Sequence, residues 1–169
     1  MRKTLDFLYD SAAALAALFM VALLAMVLLS IISRQLHFNV PGTDAYAGYF
    51  MAGAGFLALA HTLKHGEHIR VTLLVSHVGP AAQRWLERWS TGAGALLATL
   101  FAWFSVRLVW QSHVFNDVST GNDATPLWIP QLAMAVGAVI LAIATVDEFI
   151  LEWRGLRAAA ASTEALRHE

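Results

Sequence analysis

The sequence has no cysteine, few charged side chains and no marked excess of either sign of charge. Of its 169 residues only 14% are charged, and the formal net charge is −1. The lack of thiols excludes disulfides, zinc–thiolate sites and cysteine chemistry. The balanced charge, with no long basic block, excludes the phosphate-binding surface of a nucleic-acid partner. We therefore expect neither a disulfide-stabilised secreted domain nor a nucleic-acid-binding protein.

Apolar residues are abundant: they make up 58% of the chain, and the mean hydropathy is +0.58. Such a composition is typical of membrane proteins rather than soluble domains. We predict an all-α integral membrane protein with four transmembrane helices, at about 11–32, 45–63, 91–110 and 128–149. These helices would form one membrane domain over residues 1–157, followed by a cytoplasmic tail over 158–169.

The segment between the second and third spans is amphipathic. In residues 80–90, Trp85 and Trp89 lie four apart on one helical face, and Arg84 and Arg88 form the neighbouring stripe. Tryptophan is favoured at the membrane interface, where arginine can reach lipid headgroups. This predicts a short interfacial helix. The alternative is that the segment extends the third span.

Basic residues are distributed unevenly between the two sides of the predicted helices. Nine of the eleven Lys and Arg residues lie at the N-terminus, between spans two and three, or in the tail, and two, Arg34 and Arg107, lie on the other side. Cytoplasmic segments are the ones enriched in Lys and Arg. We therefore predict that both termini are cytoplasmic. The apolar run after Arg2 and Lys3 is long for a cleaved signal peptide, so we expect a retained signal anchor.

Small residues recur at helical spacing on two spans, which lets helix backbones approach closely. Together with Arg34 and Asp44, which flank the first turn, they are the candidate partner contacts: Gly48, Ala52, Gly55, Gly94, Ala98 and Ala102. The candidate membrane-interface anchors are Arg84, Trp85, Arg88, Trp89, Trp128 and Trp153. Lys64, His68 and Arg70 form a cytoplasmic corner after the second span. We interpret it first as an orientation signal and lipid contact, and second as a subunit contact.

Two histidine-based alternatives are weaker. His61, His65 and His68, with Glu67, have metal-ligand spacing only if a helix continues through Gly66, so a hydrated polar corner is favoured. A haem would need two facing histidines at one membrane depth, and His61 and His113 are predicted near opposite ends of their spans. The sequence contains no nucleophile–base pair and no acidic or basic group at mid-depth in a span. We therefore expect no enzyme activity, no metal and no cofactor.

Several segments of the chain resemble a known family, the DctQ-like small membrane subunits of tripartite ATP-independent periplasmic (TRAP) transporters. The resemblance runs from the first span to the start of the tail. It is carried in order by Arg34 with Phe38 and Asn39, PGTD at 41–44, AGYFMAGAGFLALA at 47–60, KHGEHIRV at 64–71, and Pro126, Trp128 and Pro130. The family often has a second acidic residue after the position of Asp44, where this chain has Ala45.

The resemblance implies a supporting subunit of a secondary transporter in the bacterial inner membrane. Its partners would be a large permease subunit, which carries the sodium and substrate sites, a periplasmic substrate-binding protein, and membrane lipids. The substrate of such systems is often a carboxylate. The rival hypothesis is a free-standing small membrane protein that anchors or assembles some other inner-membrane complex.

Overall fold

The computed structural model describes residues 2–38, 40–64, 79–121 and 123–154, and the described chain is helical. The helices are α1 (Arg2–Gln35), α2 (Thr43–Lys64), α3 (Pro80–Val114) and α4 (Trp128–Trp153). The described residues form no strand, and their one isolated bridge pairs Val118 with Pro126 in the loop before α4. The predicted all-helical class is confirmed.

Residues in the left-handed conformation follow two of the helices at the same end of the molecule. After α1, His37 has φ 57°, and after α3, Asn116 has φ 53°. The amide of Phe38 donates to the carbonyl of Ser33, and that of Asp117 to the carbonyl of Ser112. This is the closure that satisfies terminal helix carbonyls and turns the chain away from the helix axis.

The helices pack as a row rather than a closed ring. α2 lies between α1 and α4, and α3 packs chiefly against α4. The spatial order is therefore α1, α2, α4, α3, with α1 and α3 at the outer edges.

The buried core consists mainly of alanine. Ten alanines are among the buried apolar residues: Ala12, Ala16, Ala54, Ala60, Ala95, Ala98, Ala102, Ala135, Ala138 and Ala144. The large apolar side chains point outward instead, as Leu24, Leu97 and Trp103 do. A soluble protein does not expose so much apolar surface, whereas helices in lipid associate through small residues.

Among the described residues, three helical segments are long and apolar enough to cross a membrane: Leu5–Gln35, Trp85–Val114 and Trp128–Trp153. α2 is not among them. It contains Gly48, Gly53 and Gly55, and also Tyr46 and Tyr49, which lower its hydropathy.

The structure of residues 80–90 differs from the predicted short interfacial helix. α3 runs without interruption from Pro80 to Val114 over 35 residues. A separate interfacial helix is therefore not formed, and the alternative that this segment extends the third span describes the structure. Thr91 lies at the predicted start of the third span, and its hydroxyl donates to the carbonyls of Glu87 and Arg88 within the same helix. Gly92 and Gly94, which could have ended the helix, are held inside it.

Candidate functional site

A polar network joins two loops at one end of the molecule, which we call the loop end (residues 36–42 and 115–127, with the adjoining helix ends). The Tyr49 hydroxyl donates to Asp123 Oδ2 at 2.9 Å, and the Ser119 hydroxyl donates to Asp123 Oδ1 at 2.7 Å. The Tyr46 and Thr125 hydroxyls share a hydrogen bond of 3.0 Å. The network fixes the loop before α4 against the first turns of α2.

Gly42 makes the contact between the two loops close. Its φ is +82°, and a β-carbon placed on it would lie 2.8 Å from Cβ and 3.2 Å from Cα of Asp123. Only glycine combines that backbone conformation with that approach. The first turn and the third connection are thus packed directly against each other.

The network also sets the charge state of Asp123. The hydrogen bond from Ser119 lowers its pKa most; desolvation opposes this, and further hydrogen bonds from Thr125 and Tyr49 help to bring the pKa from 3.8 to about 2. Bonds to the ionised form stabilise it. Asp123 is therefore a fixed negative charge at the loop end at any physiological pH.

Arg34 and Asp44 lie at the mouth of a groove beside this network. Arg34 Nη2 is 3.7 Å from Asp44 Oδ2, with side chains 75% and 81% exposed, and the Ser30 hydroxyl donates to Asp44 Oδ1 at 3.4 Å. The groove is also lined by His37 and Gly121, so it joins both loops. The pair is solvent-exposed and available to a partner.

The predicted small-residue face of α2 points away from the rest of the described chain. Around a β-carbon built at Gly48 or Gly55 no described atom lies within 4 Å, and Ala52 between them is exposed. Gly53 lies on the opposite face, where a β-carbon would be 2.5 Å from the Phe19 ring. The glycines of α2 thus divide between an inner contact surface and an open one.

The predicted face of α3 is used differently. Ala98 and Ala102 are buried within the chain, while a β-carbon on Gly94 would meet no described atom within 4 Å. Because α3 packs chiefly against α4, the two alanines form part of that internal contact. Gly94 alone of the three lies in open space.

Charged residues connect α1 and α2 at the other end. Lys64 forms an ion pair with Asp6, and its ammonium lies 5.3 Å from the centre of the Tyr9 ring. His61 Nδ1 is 3.7 Å from Asp10 Oδ1. Lys64 of the predicted corner is therefore an interhelical contact, while His68 and Arg70 lie outside the described residues.

Of the four histidines considered as metal or haem ligands, His61 and His113 lie in the described part of the chain. His65, Glu67 and His68 lie outside the described part of the chain, and the described part contains no group of three potential metal ligands. His61 lies beside Asp10 at one end of the molecule. His113 packs edge-on against Trp128 at the loop end, with ring centres 5.4 Å apart.

Three of the predicted interface anchors are exposed tryptophans near the end opposite the loops: Trp85, Trp89 and Trp153. The Arg88 guanidinium lies 5.5 Å from the centre of the Trp153 ring, which joins the start of α3 to the end of α4. Arg84 lies in the same turn region of α3, and its side chain is outside the described set. Trp128 is at the loop end, so the tryptophans mark both ends of the helices.

The sequence was compared with models of known protein families. Residues 23–155 match the model of the DctQ component of tripartite ATP-independent periplasmic transporters. The chain belongs to this DctQ family. The matched region contains the whole loop end, all of α2 and α3, and α4. Membership makes the chain a small membrane component of a TRAP-type transporter, a class of transport proteins rather than of enzymes. No curated protein shows a significant sequence match to the chain.

Sequence reasoning missed the Tyr49–Asp123 network of this DctQ chain. One signal was available: Tyr46 and Tyr49 lie three residues apart, so both hydroxyls fall on one helical face near the start of a span. Buried or interfacial tyrosine hydroxyls usually find a hydrogen-bond partner. The partner of Tyr49 lies 74 residues away in the chain and that of Tyr46 lies 79 residues away, and no local pattern identifies either.

Proposed function

We propose that this chain is the scaffold subunit that holds the large permease subunit of a TRAP transporter in the bacterial inner membrane. In this assembly, the large subunit carries out sodium-coupled uptake of an organic acid delivered by a periplasmic binding protein. The observation that carries the proposal is the open face of α2 at Gly48, Ala52 and Gly55, in a chain of this family.

We further propose that α2 crosses the membrane beside α1, which gives four spans. Its 22 residues extend about 33 Å at 1.5 Å per residue, enough for the hydrocarbon core. Contacts with α1 occur at both of its ends: Lys64 pairs with Asp6, and Asp44 accepts from Ser30. Because α2 contacts the membrane span α1 at both ends, we expect α2 to cross the membrane over the same depth as α1. The open glycine face would then lie within the membrane, where close helix contacts form.

The proposed orientation places the loop end in the periplasm and both chain termini in the cytoplasm. Of the described Lys and Arg residues, Arg34 and Arg107 lie towards the loop end, whereas Lys64, Arg88 and Arg154 lie at or near the opposite end. This distribution follows the preference of Lys and Arg for the cytoplasmic side. In that orientation, the groove at Arg34 and Asp44 faces the binding protein.

The docking role assigned to the loop end rests on its rigidity and its exposure. The Asp123 network and the close approach of Gly42 fix two loops together, while Arg34 and Asp44 remain exposed. A rigid surface loses little conformational entropy on binding. We propose that exposed charges here guide the binding protein, with the Asp123 network as support beneath them.

Co-purification with the large permease subunit tests the scaffold role. Gly55→Leu should reduce recovery of the complex at least fivefold, because the added side chain occupies the space of a partner helix. The isolated chain should keep its melting temperature, since nothing described lies within 4 Å of that position. The matched control is Ala25→Leu, which introduces the same side chain on an exposed face of α1.

Reconstituted uptake tests the coupled activity. Sodium-dependent transport should require the large subunit, this chain and the binding protein together. Full complex recovery and full uptake with both Gly48→Leu and Gly55→Leu would refute the proposed contact. A chain that remains stable without any copurifying permease, even when a large TRAP permease subunit is co-expressed, would support a free-standing membrane protein instead.

A further inference from the structure

An arginine lies inside the third membrane-spanning segment. Arg107 is in α3 seven residues before its last residue, Val114, so it is about 10 Å inside the helix end. Its side chain is exposed, and no carboxylate of the described residues lies within ion-pair distance. A charged side chain at such a depth in a membrane is costly unless an anionic partner meets it.

Arg107 is one of the residues that line a groove between α3 and α4. Its apolar wall is formed by Phe101, Phe104, Leu108 and Met134. Two polar side chains, Ser105 and Gln111, complete the lining. The groove thus combines one cation, one amide and a long apolar wall without a described acidic residue. A ligand complementary to it has an anionic head and a hydrocarbon tail.

Two tryptophans indicate the depth of Arg107. Trp103 and Trp110 lie four residues before and three residues after it, on the same side of α3, and are 69% and 70% exposed. Tryptophan concentrates at the boundary between headgroups and acyl chains. Trp128 of α4 lies near this end too, beside His113. The guanidinium of Arg107 therefore lies within reach of the phosphate level of one leaflet.

We propose that this groove is a binding site for a single phospholipid. The Arg107 guanidinium holds the phosphate by paired hydrogen bonds, an arrangement that its planar fork favours. One acyl chain lies along Phe101, Leu108 and Met134. Gln111, one turn nearer the helix end, offers its amide to the glycerol or headgroup. The phosphate and the acyl chain are common to all glycerophospholipids, so the site selects that class rather than one headgroup.

The site is separate from the open face of α2. It lies between α3 and α4, whereas Gly48 and Gly55 lie on α2. A lipid here would fill the groove beside α4 and hold the two helices at a fixed distance. The proposal therefore stands whether or not the chain binds a permease, and it is tested on the isolated full chain.

Native mass spectrometry of the detergent-purified full chain counts the retained phospholipid. We expect about one phospholipid per wild-type chain, and at least a fivefold lower occupancy for Arg107→Gln. Leu108→Trp, which fills the groove and keeps the arginine, should lower occupancy similarly. The matched control is Arg34→Gln, which removes a cation at the same end of the molecule but outside the groove; it should retain the lipid. Arg107→Lys should fall between wild type and Arg107→Gln, because it keeps the charge without the fork.

Addition of ligands to delipidated protein separates the possible sources of the phosphate. Phosphatidylglycerol and phosphatidylethanolamine should both raise the melting temperature of wild type but not of Arg107→Gln. Inorganic phosphate alone should have no effect, since it cannot use the apolar wall. Wild-type lipid occupancy in Arg107→Gln, equal loss in Arg34→Gln, or stabilisation by inorganic phosphate alone would each overturn the proposal. So would unchanged lipid retention combined with loss of permease co-purification in the Arg107 variants, which would assign the arginine to a protein partner.

Discussion

The Tyr49 hydroxyl on α2 donates a 2.9 Å hydrogen bond to the carboxylate of Asp123 in the loop before α4. This bond connects the second helix to a loop that lies on the far side of α3 in the sequence. Ser119 donates to the other carboxylate oxygen at 2.7 Å, so both oxygens are held. The loop end is therefore a single structural unit rather than two independent turns.

Removal of this bond should loosen the loop end without unfolding the helices. Tyr49→Phe and Asp123→Asn should each lower the melting temperature by a few degrees, since a hydrogen bond to a charged acceptor is stronger than a neutral one. Asp117→Asn, in the same loop with its side chain exposed, is the matched control and should change little. Hydrogen exchange should show faster exchange at residues 117–127 in the first two variants. Unchanged exchange in both would show that the network does not order the loop.

The low pKa of Asp123 predicts an acid-dependent loss of stability. Its folded pKa, about 2, is below the ordinary value of 3.8. The ionised form therefore stabilises the fold above about pH 4, and this contribution disappears as the pH falls towards 2. The difference in melting temperature between wild type and Asp123→Asn should be constant above pH 5 and shrink between pH 4 and 2. A difference that stays constant down to pH 2 would contradict the prediction.

Gly42 should tolerate no side chain. Gly42→Ala places a β-carbon 2.8 Å from that of Asp123 in a backbone conformation with φ +82°. The left-handed conformation alone costs a non-glycine residue about 1–2 kcal/mol, and the close contact adds to that. The variant should therefore lower the melting temperature more than Tyr49→Phe does. Gly48→Ala is the control: it lies in a helix in open space and should be neutral or slightly stabilising.

The all-helical class could be predicted from the sequence, because apolar runs long enough to cross a membrane indicate transmembrane helices. The division of the α2 glycines did not. Gly53 and Gly55 are two residues apart, and composition cannot tell which one meets Phe19 and which one faces outward. That depends on where α1 and α4 lie around α2, which is a property of the tertiary arrangement.

The continuity of α3 was also not decided by the sequence. Trp85, Trp89 and Arg88 suit either an interfacial helix or an extension of the span, since both place them at the membrane surface. The structure resolves this because α3 continues through Thr91 as one uninterrupted helix. The packing of Arg88 on Trp153 of α4 supports the extended helix from outside, and a local pattern cannot reveal such a contact.

Gly137 should be the most sensitive glycine of the internal contacts. A β-carbon there would lie 2.6 Å from the carbonyl carbon and oxygen of Phe56, and backbone atoms cannot move aside as a side chain can. Gly137→Ala should therefore separate α4 from α2, with a loss of melting temperature larger than that of Gly53→Ala, where the obstacle is the Phe19 ring. Thermal unfolding of the isolated chain measures both. Equal stability of Gly137→Ala and wild type would show that α2 and α4 pack less closely than described.

The proposed orientation can be tested by accessibility, because the chain has no native cysteine and each introduced thiol reports alone. Thr120 is exposed in the loop before α4, and Gly79 is exposed just before α3 at the other end. With the loop end in the periplasm, a membrane-impermeant maleimide should label Thr120→Cys in intact cells. It should label Gly79→Cys only after the membrane is permeabilised. The opposite pattern would invert the topology. Labelling of both in intact cells would place both positions in the periplasm and contradict a single crossing of the membrane by α3. Since α3 lies between them, different labelling also shows directly that this helix spans the membrane.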